Sequence, residues 1–372
     1  MDNTKIGNKE AIALLVTITF NNIILNITKT IVETSASASL LNILYIGIIA
    51  IIFTCVICYF LNKFPTFDLV DISNFLGGKI LKWIIGLVYI GYFIFFSGVL
   101  LHTFASCLQI IYFPISKLFY IVLFFVIAAF ISCNMKYNAI YRSTFIIFPI
   151  IIISTLFLFF ADIKYFEIEK IFPIFGNGSF HTFVLGLTNM FAFQALAYVY
   201  FIPPMLKQPN KVKQVAVTSI ILSCILLLIS VGIILFMFNG FVETDELLPL
   251  LSAVKYIDFG SFIQKLDSIF LLIWIIAFLS YISITLKFST TILKKLSNIN
   301  NTTLLTFILS VALLAASLWQ KNYAVSTFFA DTVYRYSFLI LVIGLSFLVL
   351  LFATFKQKIR SWFKRWIKHS YV

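Results

Sequence analysis

Apolar residues in this chain come in long uninterrupted runs, and polar residues collect in the short gaps between them. There is no two-residue alternation of half-buried strands and no narrow stripe of a surface helix. A run of roughly 20 apolar residues is enough to cross a bilayer. Ten segments meet that description, at about 10–32, 40–62, 80–113, 117–135, 140–161, 180–206, 212–239, 260–292, 302–320 and 334–355. Helix is the expected form of each, because a backbone in hydrocarbon must satisfy its own polar groups. The first run is followed by no small-residue cleavage site and by many equal runs, so a retained span is expected rather than a signal peptide.

Composition agrees. Hydrophobic residues make up 62% and charged residues 11%, against roughly 45–50% and about 25% in ordinary soluble domains. Mean hydropathy is +1.06. A soluble fold of 372 residues could not cover this much apolar surface. The net charge of +13 does not point to nucleic acid, because the charges sit in clusters between the runs. Most of the 27 basic residues fall on the side shared by both termini and the even-numbered loops, and most of the 14 acids fall opposite. The positive-inside rule then places both termini in the cytoplasm. The tail 356–372 alternates bases with Trp362, Phe363 and Trp366. It reads as an amphipathic segment on an anionic leaflet or as a disordered basic end. Cys55 and Cys58 have redox-motif spacing but lie in an apolar run without other metal ligands, so packing is expected and no metal or cofactor is.

The two halves echo one another. Spans 3 and 8 are the longest and occupy the same place in successive sets of five. Spans 1 and 6 correspond and are both interrupted by polar residues. Because five is odd, the second set is inverted relative to the first, as in secondary transporters. The expected fold class is an all-α integral membrane protein with ten transmembrane helices in a 5+5 inverted repeat, with broken helices 1 and 6. It forms one membrane domain, 1–372, with repeats at 10–161 and 180–355 and a basic cytoplasmic tail at 356–372.

No Asp, Glu, Lys or Arg is expected well inside any span. The polar groups at mid-depth are concentrated elsewhere. Span 1 carries Thr17, Thr19, Asn21, Asn22, Asn26 and Thr28. Asn and Thr compete for backbone hydrogen bonds, so Thr19–Asn22 is the expected break. Span 6 carries Phe191, Phe193 and Gln194 at its centre, and Gln194 needs a partner in hydrocarbon. Two facing breaks would expose amides and carbonyls to a zwitterion or polar solute. The alternative role is helix–helix adhesion by Asn, Gln and Thr. Tyr92, Ser97 and His102 of span 3 and Ser280, Tyr281 and Ser283 of span 8 are candidate walls. A neutral His102 bonded to a helix backbone is the simpler reading of that residue. No nucleotide loop, metal cluster or nucleophile–base pair is present, which argues against an enzyme.

The chain resembles the spore-germinant receptor B-subunit family, the endospore germination permeases of the amino acid–polyamine–organocation superfamily. The resemblance covers nearly the whole chain. It is carried by Phe262-Ile263-Gln264-Lys265-Leu266-Asp267-Ser268-Ile269-Phe270 with Trp274. Supporting pieces are Lys63-Phe64-Pro65, Phe75-Leu76-Gly77-Gly78-Lys79, Tyr141-Arg142, Phe172-Pro173-Ile174-Phe175-Gly176 and Pro203-Pro204. Phe191-Ala192-Phe193-Gln194 is similar to the broken centre of span 6 in amino-acid permeases. The resemblance implies an amino-acid permease-like fold in the inner membrane of the spore. It further implies a receptor A subunit and a lipoprotein C subunit as partners, and a small-molecule nutrient, often an amino acid, as ligand. Two departures stand out: Asn21 and Asn22 occupy the place of the glycine-rich break in span 1, and Gln194 stands where an acidic residue is common. Three functions follow as expectations: a nutrient sensor, an amino-acid symporter of the same fold, or a channel or scaffold subunit without a ligand.

Overall fold

The structure is a computed structural model that describes residues 5–135, 139–238, 248–257 and 266–370, with side chains up to Ile359. The described residues are helical and form no strand. One isolated bridge pairs Ile6 with Leu206, and Ile6 N–H donates to Met205 O at 2.8 Å. Phe262–Lys265 of the family-like stretch lie outside the described residues, as do the tail's aromatic side chains.

Among the described residues, six stretches are long and apolar enough to cross a membrane: Asn8–Leu61, Leu69–Ile111, Ala139–Tyr165, Pro209–Met237, Asp267–Ser297 and Tyr323–Ile359. Three shorter apolar helices, Leu118–Asn134, Phe180–Phe193 and Thr302–Leu318, fall at three further expected positions. The first long stretch holds two expected spans, divided at Ala36, whose φ of 48° ends the preceding helix. Length alone therefore marks six stretches among the described residues, the first of which holds two expected spans.

Span 1 consists of α1 (Asn8–Asn22), a π-helical turn at Ile23–Ile27 and α2 (Thr28–Ser35). Glu10 accepts from Gly7 N–H at 2.7 Å and so fixes the start of α1. Nearly every residue from Ala11 to Asn22 is buried, because α1 packs against three helices at once: α6 (Ala139–Asp162), α8 (Val212–Met237) and α10 (Leu266–Ser297). By contrast, α3 (Ser39–Leu61) shows Leu44, Ile48, Ile52, Val56 and Tyr59 to the outside. That spacing is one helix face, and it suits lipid rather than water.

Span 3 opens at Leu69, well before the expected residue 80. Here α4 (Leu69–Ile111) is capped by Asp68, which accepts from Asp71 N–H at 2.9 Å while Asp71 accepts from Asp68 N–H at 3.3 Å. The helix bends at Gly77–Gly78, where Gly78 takes φ 70° and ψ −160°. Only glycine enters that region without strain. Both arms of the bend reach Lys295 near the end of α10. Its ammonium donates to Asp68 and Asp71 at 2.5 Å each, and Lys82, past the bend, donates to its carbonyl at 2.6 Å. The remaining long helices surround this pair: α5 (Leu118–Asn134) and α11 (Thr302–Leu318) both pack on α4 and α10.

Span 6 is irregular throughout. A π segment, Phe180–Val184, leads into a 3-10 segment, Leu185–Phe193; a turn at Gln194–Ala195 precedes the single-turn α7 (Leu196–Val199). The 3-10 segment lies close against α3: a Cβ on Gly186 would stand 2.2 Å from Asn42 Nδ2. After α9 (Pro249–Tyr256) and α10–α11 comes span 10, a composite of α12 (Tyr323–Phe328), a π segment at Phe329–Val333, α13 (Tyr334–Ser337), a second π segment at Phe338–Leu345, and α14 (Ser346–Ser370). Asn322 caps α12 by accepting from Val325 N–H at 3.0 Å.

Candidate functional site

The irregular segments of three spans converge. The π turn Ile23–Ile27 contacts both the 3-10 segment Leu185–Phe193 and the π segment Phe329–Val333. π turns inside helices are rare and frequent at functional sites. The departure in span 1 lies one turn beyond Thr19–Asn22; those four residues are regular α-helix. Burial by neighbouring helices on all sides keeps α1 regular despite its Thr and Asn content.

Gln194 stands at the turn of span 6. Its Nε2 donates to Ile18 O at 2.7 Å, and its Oε1 accepts from the Tyr334 hydroxyl. One side chain thus ties spans 1, 6 and 10 together. Asn22 Nδ2 donates to Phe191 O at 3.4 Å, a second link from span 1 to span 6. Asn21 Nδ2 donates to Thr17 O at 2.7 Å and to Ala277 O of α10 at 3.2 Å. Asn21 Oδ1, Thr17 Oγ1 and Asn26 Nδ2 are buried and make no hydrogen bond within the chain. Buried polar atoms left unpaired are uncommon and costly.

Aromatic rings close the site. Tyr334 stacks on Phe96 with centroids 4.5 Å apart, and its ring also meets Tyr92 at 5.8 Å and Phe191 at 5.9 Å. The Arg335 guanidinium lies 5.4 Å from the Phe191 centroid, on the ring's face. One turn earlier, Asp331 Oδ1 accepts from Thr30 of α2 at 2.8 Å.

Of the expected site residues, the structure brings together Asn22, Tyr92, Phe191 and Gln194, while Asn21 turns to α10. The others point elsewhere. Thr19 donates to Leu15 O at 3.3 Å in its own helix. Ser97, Ser280 and Ser283 likewise bond carbonyls of their own helices. Phe193 turns toward α3, its Cζ 3.9 Å from where a Cβ on Gly47 would stand. His102 Nδ1 pairs with Ser317 O of α11 at 2.7 Å, the backbone-bonded arrangement of the simpler reading.

The expectation that no charged residue lies well inside a span needs correction. Span 10 begins at Tyr323, not 334, so Asp331 and Arg335 lie roughly two and three turns into it. Lys287 is also within α10, donating to Cys133 O at 3.0 Å. The missed signal was Asn322 as an N-cap followed by a carboxylate–guanidinium pair at i, i+4. Tyr334 was missed because it was placed at the helix boundary.

Long apolar helices with apolar outer faces are the architecture of a multi-pass membrane protein. The fold is similar to the nucleobase-cation-symport-1 family transporter Mhp1 in a closed conformation with bromovinylhydantoin bound, with a TM-score of 0.67, 12% identity, and coverage of 90% of this chain and 78% of that one. It is also similar to the Eremococcus coleocola manganese transporter in complex with an aromatic bis-isothiourea substituted compound, with a TM-score of 0.54, 13% identity, and coverage of 92% and 76%. A model of the family described as spore germination protein matches residues 5–325, and the chain belongs to that family. Spore germination protein B2 of Bacillus subtilis (strain 168) is 24% identical over 355 residues, covering 93% of this chain and 91% of that protein.

Proposed function

We propose that the protein is the nutrient-recognising B subunit of a spore germination receptor. It binds a small solute such as an amino acid where spans 1, 6 and 10 meet, and signals to an A subunit and a lipoprotein C subunit. The observation that carries this is Gln194, whose amide joins three spans at the turn of span 6. A solute that competes for those groups changes the relative free energies of two helix arrangements, and only such differential binding can shift a receptor between states. Asn22, Tyr92, Phe191 and Gln194 are the proposed contacts. The Gln194 amide offers both donor and acceptor without a net charge. Ten crossings, a 5+5 inverted repeat with repeats at 10–161 and 180–355, both termini in the cytoplasm and a place in the inner membrane of the spore belong to the same proposal.

The test is nutrient-triggered germination of spores carrying Gln194→Leu or Asn22→Leu, alongside binding of a panel of amino acids to the purified protein. Loss or change of nutrient preference at normal protein level supports the reading. An unaltered response to every nutrient would leave these residues as packing alone. A second reading, secondary transport, is favoured by the transporter folds it resembles. Uptake of radiolabelled solute into vesicles, with and without a sodium gradient, separates the two.

A further inference from the structure

A polar crevice of about 790 Å³ lies away from the span 1–6–10 junction, between the ends of α5 and α10 and the start of α11. Asn134, Lys287, Lys294, Asn298, Thr302 and Thr303 are on its wall. Lys295 also lines it, but that ammonium is engaged with Asp68 and Asp71. The described lining residues include three lysines and no carboxylate. Hydroxyl and amide groups fill the intervals between the ammonium groups. The first turn of α11 adds backbone N–H groups without intrahelical partners, the positive end of its dipole. Only Leu304 N–H of that turn is satisfied by the cap, through Asn301 Oδ1 at 3.1 Å. The donor set is therefore that of a site for a phosphate-bearing anion.

The walls decide which anion. Beyond the crevice, α5 and α11 touch through Phe130 and Phe307, whose centroids are 6.2 Å apart. Their outward faces expose Ile131 and Met135 on one side and Leu304 and Phe307 on the other. A basic, hydroxyl-rich recess thus continues directly into an apolar two-helix face. A soluble phosphate would use only the recess. A phospholipid would use both, with its headgroup among the lysines and its acyl chains along Ile131 and Phe307. We infer that this crevice is a headgroup site for an anionic phospholipid, with Lys294 and Thr303 as its accessible contacts. Anionic lipids are drawn to basic recesses between spanning helices, at about 1 kcal/mol per Lys.

The test uses the purified full-length protein in bilayer discs of phosphatidylcholine with increasing phosphatidylglycerol, reading the thermal midpoint. Phosphatidylglycerol raises the midpoint of the wild type. Lys294→Gln shifts the half-effective lipid fraction up by roughly fivefold, the equivalent of one lost charge contact, and Thr303→Val shifts it in the same direction. Lys79→Gln, which removes an equal charge from the α4 bend, leaves the response unchanged. Equal midpoints in pure phosphatidylcholine show that the variants fold. Native mass spectrometry supplies an independent reading, as retained phosphatidylglycerol lost in Lys294→Gln. The inference is overturned if Lys294→Gln responds to phosphatidylglycerol like the wild type, or if Lys79→Gln is weakened as much. It is also overturned if inorganic phosphate in phosphatidylcholine discs gives the same stabilisation, which would assign the recess to a soluble anion.

Discussion

The hydroxyl of Tyr334 donates to the side-chain oxygen of Gln194, and through Gln194 the last span is coupled to the carbonyl of Ile18 in the first. The three groups are buried, so each depends on the others for its hydrogen bonding. Tyr334→Phe removes the donor to Gln194 Oε1 while the Nε2 bond to Ile18 O stays; we expect a cost of about 1 kcal/mol. Gln194→Leu strands both the hydroxyl and the carbonyl, for which about 1–3 kcal/mol is expected. The double variant should cost no more than Gln194→Leu alone, measured as chemical unfolding in detergent. Additive losses would mean that the two residues act separately.

Thr30 and Asp331 join α2 to span 10 at 2.8 Å. Thr30→Val and Asp331→Ala each remove the same bond. Their unfolding costs should therefore be non-additive by at least about 0.5 kcal/mol. Asp331→Asn keeps an acceptor for the Thr30 hydroxyl and should be milder than Asp331→Ala. Full additivity in the double-variant cycle would refute the link.

Burial pushes the Asp68 carboxyl up to about 6, even with Lys295 beside it. Its folded value thus lies above the unfolded one. The native state takes up a proton as pH falls from 7 toward 5, while the unfolded chain does not. Charged Asp68 is the costly form, so relative stability at this position is gained on acidification and lost as pH rises through about 6. Asp68→Asn, neutral at every pH, should gain on the wild type as pH rises from 5 to 7.5. Above about 7 the difference should level off, and it should do so again only below about 4, where the unfolded carboxyl is protonated as well. A difference that stays flat from 5 to 7.5, in paired thermal melts, would contradict the assignment.

Ten crossings put the loop after span 5 opposite the carboxyl terminus. In a chain lacking its five native cysteines, a cysteine at Ile174, which is exposed, should react with an impermeant maleimide only from outside. A cysteine added after Val372 should react only after permeabilisation. Labelling of both from one side would remove the inverted repeat.

Much of this was legible in the chain itself. Apolar run length gave the helical class, and Asn and Gln at mid-depth drew attention to Asn22 and Gln194, because an amide in hydrocarbon must find a partner. What that reasoning could not give was the partner's identity. Gln194 is satisfied by a backbone carbonyl and by a tyrosine 140 residues away, and backbone acceptors leave no mark in sequence. Hydropathy also set span 10 too late: Asp331 and Arg335 lower the local average, and a window that averages cannot recognise that they stand at one turn's separation on one helix. Ser280 and Ser283 are less telling than the amides, for the opposite reason. A hydroxyl in a helix can always turn back to the carbonyl four residues earlier, and here both do.

The glycine bend in α4 has a mechanical meaning that follows from Lys295. Its ammonium holds the arm before Gly78 and its carbonyl holds the arm after it. A flexible corner braced on both limbs by a single strut keeps one angle. Loosening that strut would turn the corner into a pivot, and the short limb carrying Asp68 could then swing away from the end of α10 as a rigid flap.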